Sequence, residues 1–430
     1  MGVIPRGLLE SNDNTYMKNL NALTPRRELM LLLTLACIQF SHVVDFMIMM
    51  PLGPQLRDLF QLTDAQFGFI VSAYTLAAGI SGLFAATYID RFARKSLLLV
   101  LYALFGISTI GCALSVSYNW MIVSRIASGA FGGVLAALSQ TIVGDVIPFE
   151  RRGRAMGVVM TSFSVATVAG IPAGLFLAAN FGWHVPFFVI GGLSAALMLL
   201  AAITLPRLDM HLEHSKGRQV LPLILQVIKD RNHLRALFLS ACIVFAGFTV
   251  VPYITLYMRA NVGISMDQIP YIYLAGGIST LISMRWIGVT TDKVGKAKMF
   301  RIMVLLAVLP LFVTTLLPPV PLWVVLISSS CLYVCMSGRM VPGMALVTSA
   351  ARPEWRGTFM TLNSAVQSAA MGVAAFVGGH LIGRNASGEL THFWMAAFIG
   401  AVASVLAFVM STRVHLHTHT QERKGLESAA

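Results

Sequence analysis

The chain has 430 residues, of which 57% are hydrophobic and only 11% charged, with a net charge of +13 and a mean hydropathy of +0.76. Soluble domains carry about a quarter of their residues as charge, so a soluble globular protein is excluded; apolar runs of more than about twenty residues equally exclude the short alternating strands of an outer-membrane barrel. The five cysteines, Cys37, Cys112, Cys242, Cys331 and Cys335, are odd in number and all lie in apolar runs, which excludes a secreted disulfide scaffold and leaves buried thiols.

In chain order, residues 1–27 form a polar tail. It has no short apolar core followed by small residues, so it reads as retained rather than cleaved. Stretches long enough to cross a bilayer as helices follow at 28–50, 66–89, 96–116, 119–146, 154–180 and 184–205. A charged linker covers 206–232. Six more stretches run over 233–258, 268–291, 297–317, 320–349, 355–383 and 391–412, and a tail covers 413–430. The expected fold is an all-α integral membrane protein of twelve transmembrane helices in two pseudo-symmetric six-helix halves, 28–205 and 233–412. All but six of the 31 Lys and Arg residues fall on the tails, on the loops after even-numbered spans or at the span ends that adjoin them. Arg57, Arg259 and Arg384 fall on the opposite side, and Arg125, Arg285 and Arg339 lie within spans. By the positive-inside rule both termini and the linker are cytoplasmic. The basic balance is then a product of topology. It is scattered through short loops and gives no nucleic-acid face.

Two motif pairs repeat at nearly one offset. Asp90-Arg91-Phe92-Ala93-Arg94-Lys95 follows span 2, and Gly288-x-x-x-Asp292-Lys293-Val294-Gly295-Lys296 follows span 8; their aspartates are 202 residues apart. Pro148-Phe149-Glu150-Arg151-Arg152-Gly153 follows span 4, and Arg352-Pro353-Glu354-Trp355-Arg356-Gly357 follows span 10; their glycines are 204 residues apart. Such repetition is how two like-oriented halves announce themselves in a transporter sequence. The pattern resembles the major facilitator superfamily across Glu28 to Arg413. The second half matches the cytoplasmic signature fully, whereas the first half has Ala86 and Ala93 where glycines are expected. The resemblance implies a conformational latch made by Asp90, Arg91, Arg94 and Asp145, closed when the cavity faces out, with Gly288, Asp292, Lys293 and Gly295 as its second-half counterpart.

Three further segments resemble the proton-coupled efflux branch of drug and sugar exporters. They are Asp45 to Pro54 in span 1, Arg125-x-x-x-Gly129 in span 4, and Gly170-Ile171-Pro172-Ala173-Gly174 with Gly182-Trp183 after it. His184 stands where the branch usually has an Arg. Ser337 to Pro342 in span 10 is similar to sugar-efflux members. Gly170, Pro172 and Gly174 read as helix-packing residues.

An ionisable group within a bilayer has to be paired or hydrated. Asp45 lies about 7.5 Å and Arg125 about 9 Å from the outer ends of their spans at the helical rise per residue. In the resembled fold spans 1 and 4 adjoin, so the two side chains are expected to meet as a proton-coupling pair or as a permanent structural ion pair. His42, on the same face as Asp45, is a candidate relay or a packed neutral ring. Arg285 and Arg339 read as buried cations without acidic partners, answered by an anionic or strongly hydrogen-bonding substrate or by carbonyls and hydroxyls. Tyr253, Asn363, Gln367 and Gln140 are candidate neutral contacts. His415, His417 and His419 alternate in the tail and could bind metal loosely, but metal transport would need ligands within spans, and no metal site is expected. No phosphate-cradling loop is present and no cofactor is expected. The function expected is secondary transport, not enzymatic catalysis: a monomer in a bacterial-type inner membrane that exports a small organic solute in exchange for protons. A uniporter or importer of the same fold and a transporter-fold sensor are the rivals.

Overall fold

The structure is a computed structural model that describes residues 24–206 and 220–416, without the side chains of Pro25, Ala86, Asp90, Phe149, Glu150, Gly153, Val220, Leu221 and Pro353. The latch expectation for the Asp90 side chain, and the histidines at 417 and 419, lie outside the described residues. Hydrocarbon offers a backbone no water to bond, so each crossing has to satisfy its own amides as a helix. Among the described residues twelve helices are long and apolar enough to cross: Arg26–Ile48, Asp64–Ala85, Arg94–Ala113, Tyr118–Val146, Arg154–Phe181, Val185–Thr204, Arg231–Val262, Ile269–Val294, Lys296–Thr315, Leu322–Ala350, Arg356–Leu381 and Phe393–Arg413. They are spans 1 to 12 below. The face carrying the described chain ends is called the termini face and the opposite one the far face.

Sequence punctuation sets the ends. Pro51 and Gly53 follow span 1, and the chain turns into a short helix, Gly53–Phe60, on the far face. Thr63 and Gln66 form a capping box that starts span 2, and the Ser117 hydroxyl accepts the Trp120 amide to start span 4. Span 7 runs four residues past its expected end because Pro252 breaks the ladder into a 3-10 turn, after which the chain rewinds as far as Val262. Spans 5 and 10 break in the same manner. A π turn over Ala166–Gly170 precedes Pro172, and Leu322–Gly338 gives way to Met340–Ala350 at Arg339, three residues before Pro342.

Span pairs 1·5, 1·6, 2·4, 3·4 and 3·6 pack in the first half, and 7·11, 7·12, 8·10, 9·10 and 9·12 pack in the second. Adding six to each member of the first set gives the second. The main contacts between halves, 2·11 and 5·8, exchange under the same operation, so the halves are related by a pseudo-twofold axis. Two features were not expected from sequence. The linker contains a helix, Val220–Lys229, packed on spans 7 and 11. A two-stranded antiparallel hairpin on the far face, β1 (Gly383–Arg384) and β2 (Leu390–Thr391), joins spans 11 and 12 with Arg384 opposite Leu390.

On the termini face Asp230 caps span 7. Its Oδ1 accepts the amides of Asn232 at 2.8 Å and His233 at 3.2 Å, and its Oδ2 meets the Arg352 guanidinium at 2.9 Å. Burial raises the carboxyl's pKa, but the two amides, then His233 and Arg352, outweigh burial and hold it below the ordinary aspartate value. Its contribution to stability is therefore complete above the unfolded-state value of about 3.9 and is lost as pH falls through the lower folded-state value. Replacing Asp230 with Ala is expected to cost about 1–2 kcal/mol of stability at neutral pH, read as a lower melting temperature, and the gap from the parent protein should close in strong acid.

Candidate functional site

A cavity of about 690 Å³ lies between the halves, walled by spans 1, 2 and 4 on one side and span 11 on the other. It runs from His42, Phe46 and Tyr74 near mid-span to Ile89, Met156 and Gly357 at the termini face, where Leu223 and Ile224 of the linker helix form its lip. The inner end is roofed by aromatic rings. Phe46 stacks on Tyr74 at 5.3 Å and on Phe248 of span 7 at 6.0 Å, so the two halves touch directly above the cavity.

Behind this wall lies an ion pair with no solvent exposure on either side chain. The Nη1 of Arg125 donates to the Oδ2 of Asp45 at 3.1 Å and to its backbone carbonyl at 3.2 Å. The guanidinium stands 4.2 Å from the centre of the Tyr74 ring, a cation–π contact. Oδ1 of Asp45 and Nε and Nη2 of Arg125 have no partner among the described residues, nor have either ring nitrogen of His42 or the Tyr74 hydroxyl. Asp45 and Arg125 thus meet across spans 1 and 4. His42 lines the cavity nearby, but its ring makes no hydrogen bond to Asp45.

Close approach of spans 2 and 4 makes this geometry available. A Cβ at Gly129 would lie 2.3 Å from the Tyr74 carbonyl oxygen, and one at Gly133 would lie 2.4 Å from that of Ala78. At Gly132 a Cβ would fall 2.4 Å from the His42 ring and 2.8 Å from the Tyr74 hydroxyl. Gly129 entered the sequence reading only as the end of the Arg125 motif, and Gly132 and Gly133 escaped it, although Gly129-x-x-x-Gly133 is the small-residue spacing that lets helices touch. Gly170 and Gly174 do the same for span 5, facing Val44 and Ile48 of span 1, and Pro172 follows the π turn.

The far face is shut. Arg384, presented by β1, grips Asp64 at the start of span 2 with Nε to Oδ2 and Nη2 to Oδ1 both at 2.8 Å. The pair ties one half to the other, and Asp64 is 6% exposed. Arg57 lies 3.8 Å from Asp64, and Arg259 lies 3.6 Å from Asp58. The three arginines that stood out as exceptions to the positive-inside rule are therefore the cations of one far-face network. Beneath it the hydroxyl of Tyr253 donates to the Ala375 carbonyl, its ring meets Phe67 edge-on, and Gly68, Gly378 and Gly379 leave room for the contact.

Several expected site residues stand elsewhere. Gln140 and Gln367 line the cavity, whereas Tyr253 belongs to the far-face closure. Asn363 is buried, with its Oδ1 unpartnered, outside the cavity wall. Arg339 is 2% exposed and is not a cavity residue; it donates to the Ser404 hydroxyl at 3.1 Å and the Ile243 carbonyl at 2.9 Å, so dipoles answer its charge. Arg285 is not buried. It shares an exposed stripe of span 8 with Leu281, Ile282, Trp286 and Val289, because a helix face facing outward cannot be told from one facing inward by composition alone. The pull of these two cations toward an anionic substrate has no geometric support at the cavity.

Of the latch residues, Arg94 and Asp145 pair at 3.1 Å, and Arg94 also donates to the Ile89 carbonyl. Arg91 is exposed. The pair is closed while the cavity reaches the termini face, and both partners belong to the first half. In the second half Asp292 and Lys293 are exposed without partners among the described residues, Gly288 has open space around it, and Gly295 ends span 8 at φ +94°.

Twelve spans in two pseudo-twofold halves around a central cavity define a membrane transport protein. The Major Facilitator Superfamily model matches residues 35–331 and 236–429, and the chain belongs to that family. It is 26% identical over 365 residues to the uncharacterised MFS-type transporter YceJ of Bacillus subtilis (strain 168), covering 84% of this chain and 92% of that one. It is 26% identical over 385 residues to YtbD of the same organism, covering 88% and 94%. Among solved structures it superposes on a D-xylose–proton symporter with a TM-score of 0.72 at 18% identity, covering 88% of this chain and 96% of that one. The same measures for an inward-facing, occupied bacterial homologue of the human lysosomal transporter Spinster are 0.70, 15%, 89% and 96%.

Two predictions follow from the packing. Gly129→Ala should lower the melting temperature by the equivalent of about 1–3 kcal/mol, whereas Gly144→Ala, with nothing within 4 Å of its Cβ, should be neutral or stabilising. For the far face, Thr75→Cys on a cysteine-free background provides a cavity reporter. An impermeant maleimide applied from the far side should label it several-fold faster in an Arg384→Ala background, and the swapped pair Asp64→Arg with Arg384→Asp should restore slow labelling.

Proposed function

We propose that the protein is a proton-coupled secondary transporter that exports a small organic solute by alternating access, as a monomer in a bacterial inner membrane with both termini cytoplasmic. The observation that carries this reading is the fully buried Asp45–Arg125 pair directly behind the cavity wall. A proton delivered to the unpartnered Oδ1 neutralises Asp45 and leaves the arginine with a neutral acceptor at Oδ2, the Asp45 backbone carbonyl and a cation–π contact, but no counter-charge. Removing one member of a buried pair costs about 3–5 kcal/mol, more than enough to shift an equilibrium between two conformations. With the termini cytoplasmic, the state described faces inward, and the Asp64–Arg384 closure seals the outside. The resemblance of spans 1, 4 and 5 to the efflux branch supports the outward direction of transport. Family membership and the fold shared with a proton symporter support the use of a proton gradient.

Reconstituted into proteoliposomes, the parent protein should move protons against solute. Asp45→Asn should abolish accumulation driven by a pH gradient while solute exchange and binding persist. Full gradient-driven accumulation by this variant would remove Asp45 from coupling. Solute flux without protons in the parent would make the protein a uniporter, and binding without turnover would make it a sensor.

A further inference from the structure

The chemistry of the cavity narrows the class of solute, and this inference rests on the reading above that the cavity is the transport site. Among the described residues its wall carries no Asp, Glu, Lys or Arg. Asp45 and Arg125 answer each other behind the wall, and Arg339 is answered by Ser404 and Ile243. An ion entering this space would leave its hydration shell and find no counter-charge among those residues. The wall offers amides and hydroxyls instead. Gln39 and Gln140 stand on the first half, and Ser364, Gln367 and Ser368 stand on span 11. Four of these five form no hydrogen bond to described residues. Gln367 uses its amide nitrogen on the Ser240 hydroxyl at 2.8 Å and the Met344 sulfur, leaving its carbonyl oxygen uncommitted.

The closed end adds an independent observation. Tyr74 is 2% exposed, lines the cavity and has an unpartnered hydroxyl, and both His42 ring nitrogens are likewise unpartnered. Buried polar groups left unanswered are costly, so the deepest point of the cavity is built to receive a hydrogen-bonding group. Beside it Phe46 and Tyr74, stacked on each other with Phe248 and the Arg125 guanidinium also against them, give apolar ring edges, and toward the termini face Met156, Met360 and Met371 give walls that adapt in shape. A volume of about 690 Å³ is of the order needed to enclose a drug-sized molecule.

We propose that the cavity binds an uncharged, hydroxyl-rich solute of glycoside size bearing one apolar group, held between Gln140 and the Gln367 side with that group against the Phe46 and Tyr74 ring edges. The test uses the full chain in nanodiscs free of alkyl glycosides, with three probes on one scaffold: phenyl β-D-glucoside, its uronic acid and its amino-sugar analogue. Calorimetric titration and melting temperature are read without a pH gradient. The neutral glycoside should bind and stabilise, and each charged analogue should bind at least tenfold more weakly. Gln140→Ala and Ser364→Ala should each weaken neutral binding about tenfold with the melting temperature of the free protein unchanged, while Arg339→Lys should leave the affinity of the folded fraction as it was. Binding of a charged analogue as tightly as the neutral one, binding of none of the three at millimolar concentration, or full affinity in both cavity variants would overturn the proposal. Binding of the neutral probe by a protein that moves no protons would instead overturn only the antiport reading.

Discussion

A charge placed in hydrocarbon has to be answered within the protein, and the answers found here organise the rest of the molecule. Asp45 and Arg125 answer each other and thereby fix spans 1 and 4 behind the cavity wall. Arg339 is answered by a hydroxyl from span 12 and a carbonyl from span 7, which draws three second-half spans together at the break in span 10. At the far face Asp64 and Arg384 answer each other across the two halves. The first two hold a half together, and the third holds the halves to one another.

Small residues and prolines make these meetings possible. The carbonyls of Tyr74 and Ala78 sit where Cβ atoms would be at Gly129 and Gly133, so spans 2 and 4 touch at backbone distance. On the other side of span 2, Gly372, Gly378 and Gly379 of span 11 open the same kind of space for Leu76, Thr249 and Tyr253. Spans 5, 7 and 10 are interrupted at Pro172, Pro252 and Pro342, and span 9 carries Pro310 within its helix, so bending at these points gives up little hydrogen bonding.

The twelve spans were legible because hydrocarbon imposes one length and one composition on every crossing. The meeting of Asp45 and Arg125 was legible because two lone charges lay at similar depth on spans that adjoin in the resembled fold. Other features were hidden for definite reasons. The partners Asp64 and Arg384 are separated by most of the chain and lie outside the apolar cores of the spans, so neither depth nor periodicity links them; the trace in the sequence was that Arg57, Arg259 and Arg384 fall on the face otherwise poor in cations. Arg285 and Arg339 looked alike in sequence, and only the rotation of each helix about its axis distinguishes an outward stripe from a buried seam. The linker was read by its charge, which concealed the apolar run Val220 to Ile228 within it.

That linker helix breaks the symmetry of the two exits. The mouth at the termini face is lipped by Leu223 and Ile224, with Leu225 and Ile228 exposed on the helix's other side, so its closure is a matter of burying hydrocarbon. The far exit is closed by arginine and aspartate. Ionic strength screens the second kind of contact and leaves the first nearly untouched, whereas cooling weakens the first. Under the alternating access proposed above, salt and temperature would then act on opposite exits, and a molecule whose halves repeat one another in architecture would have doors that respond to different conditions.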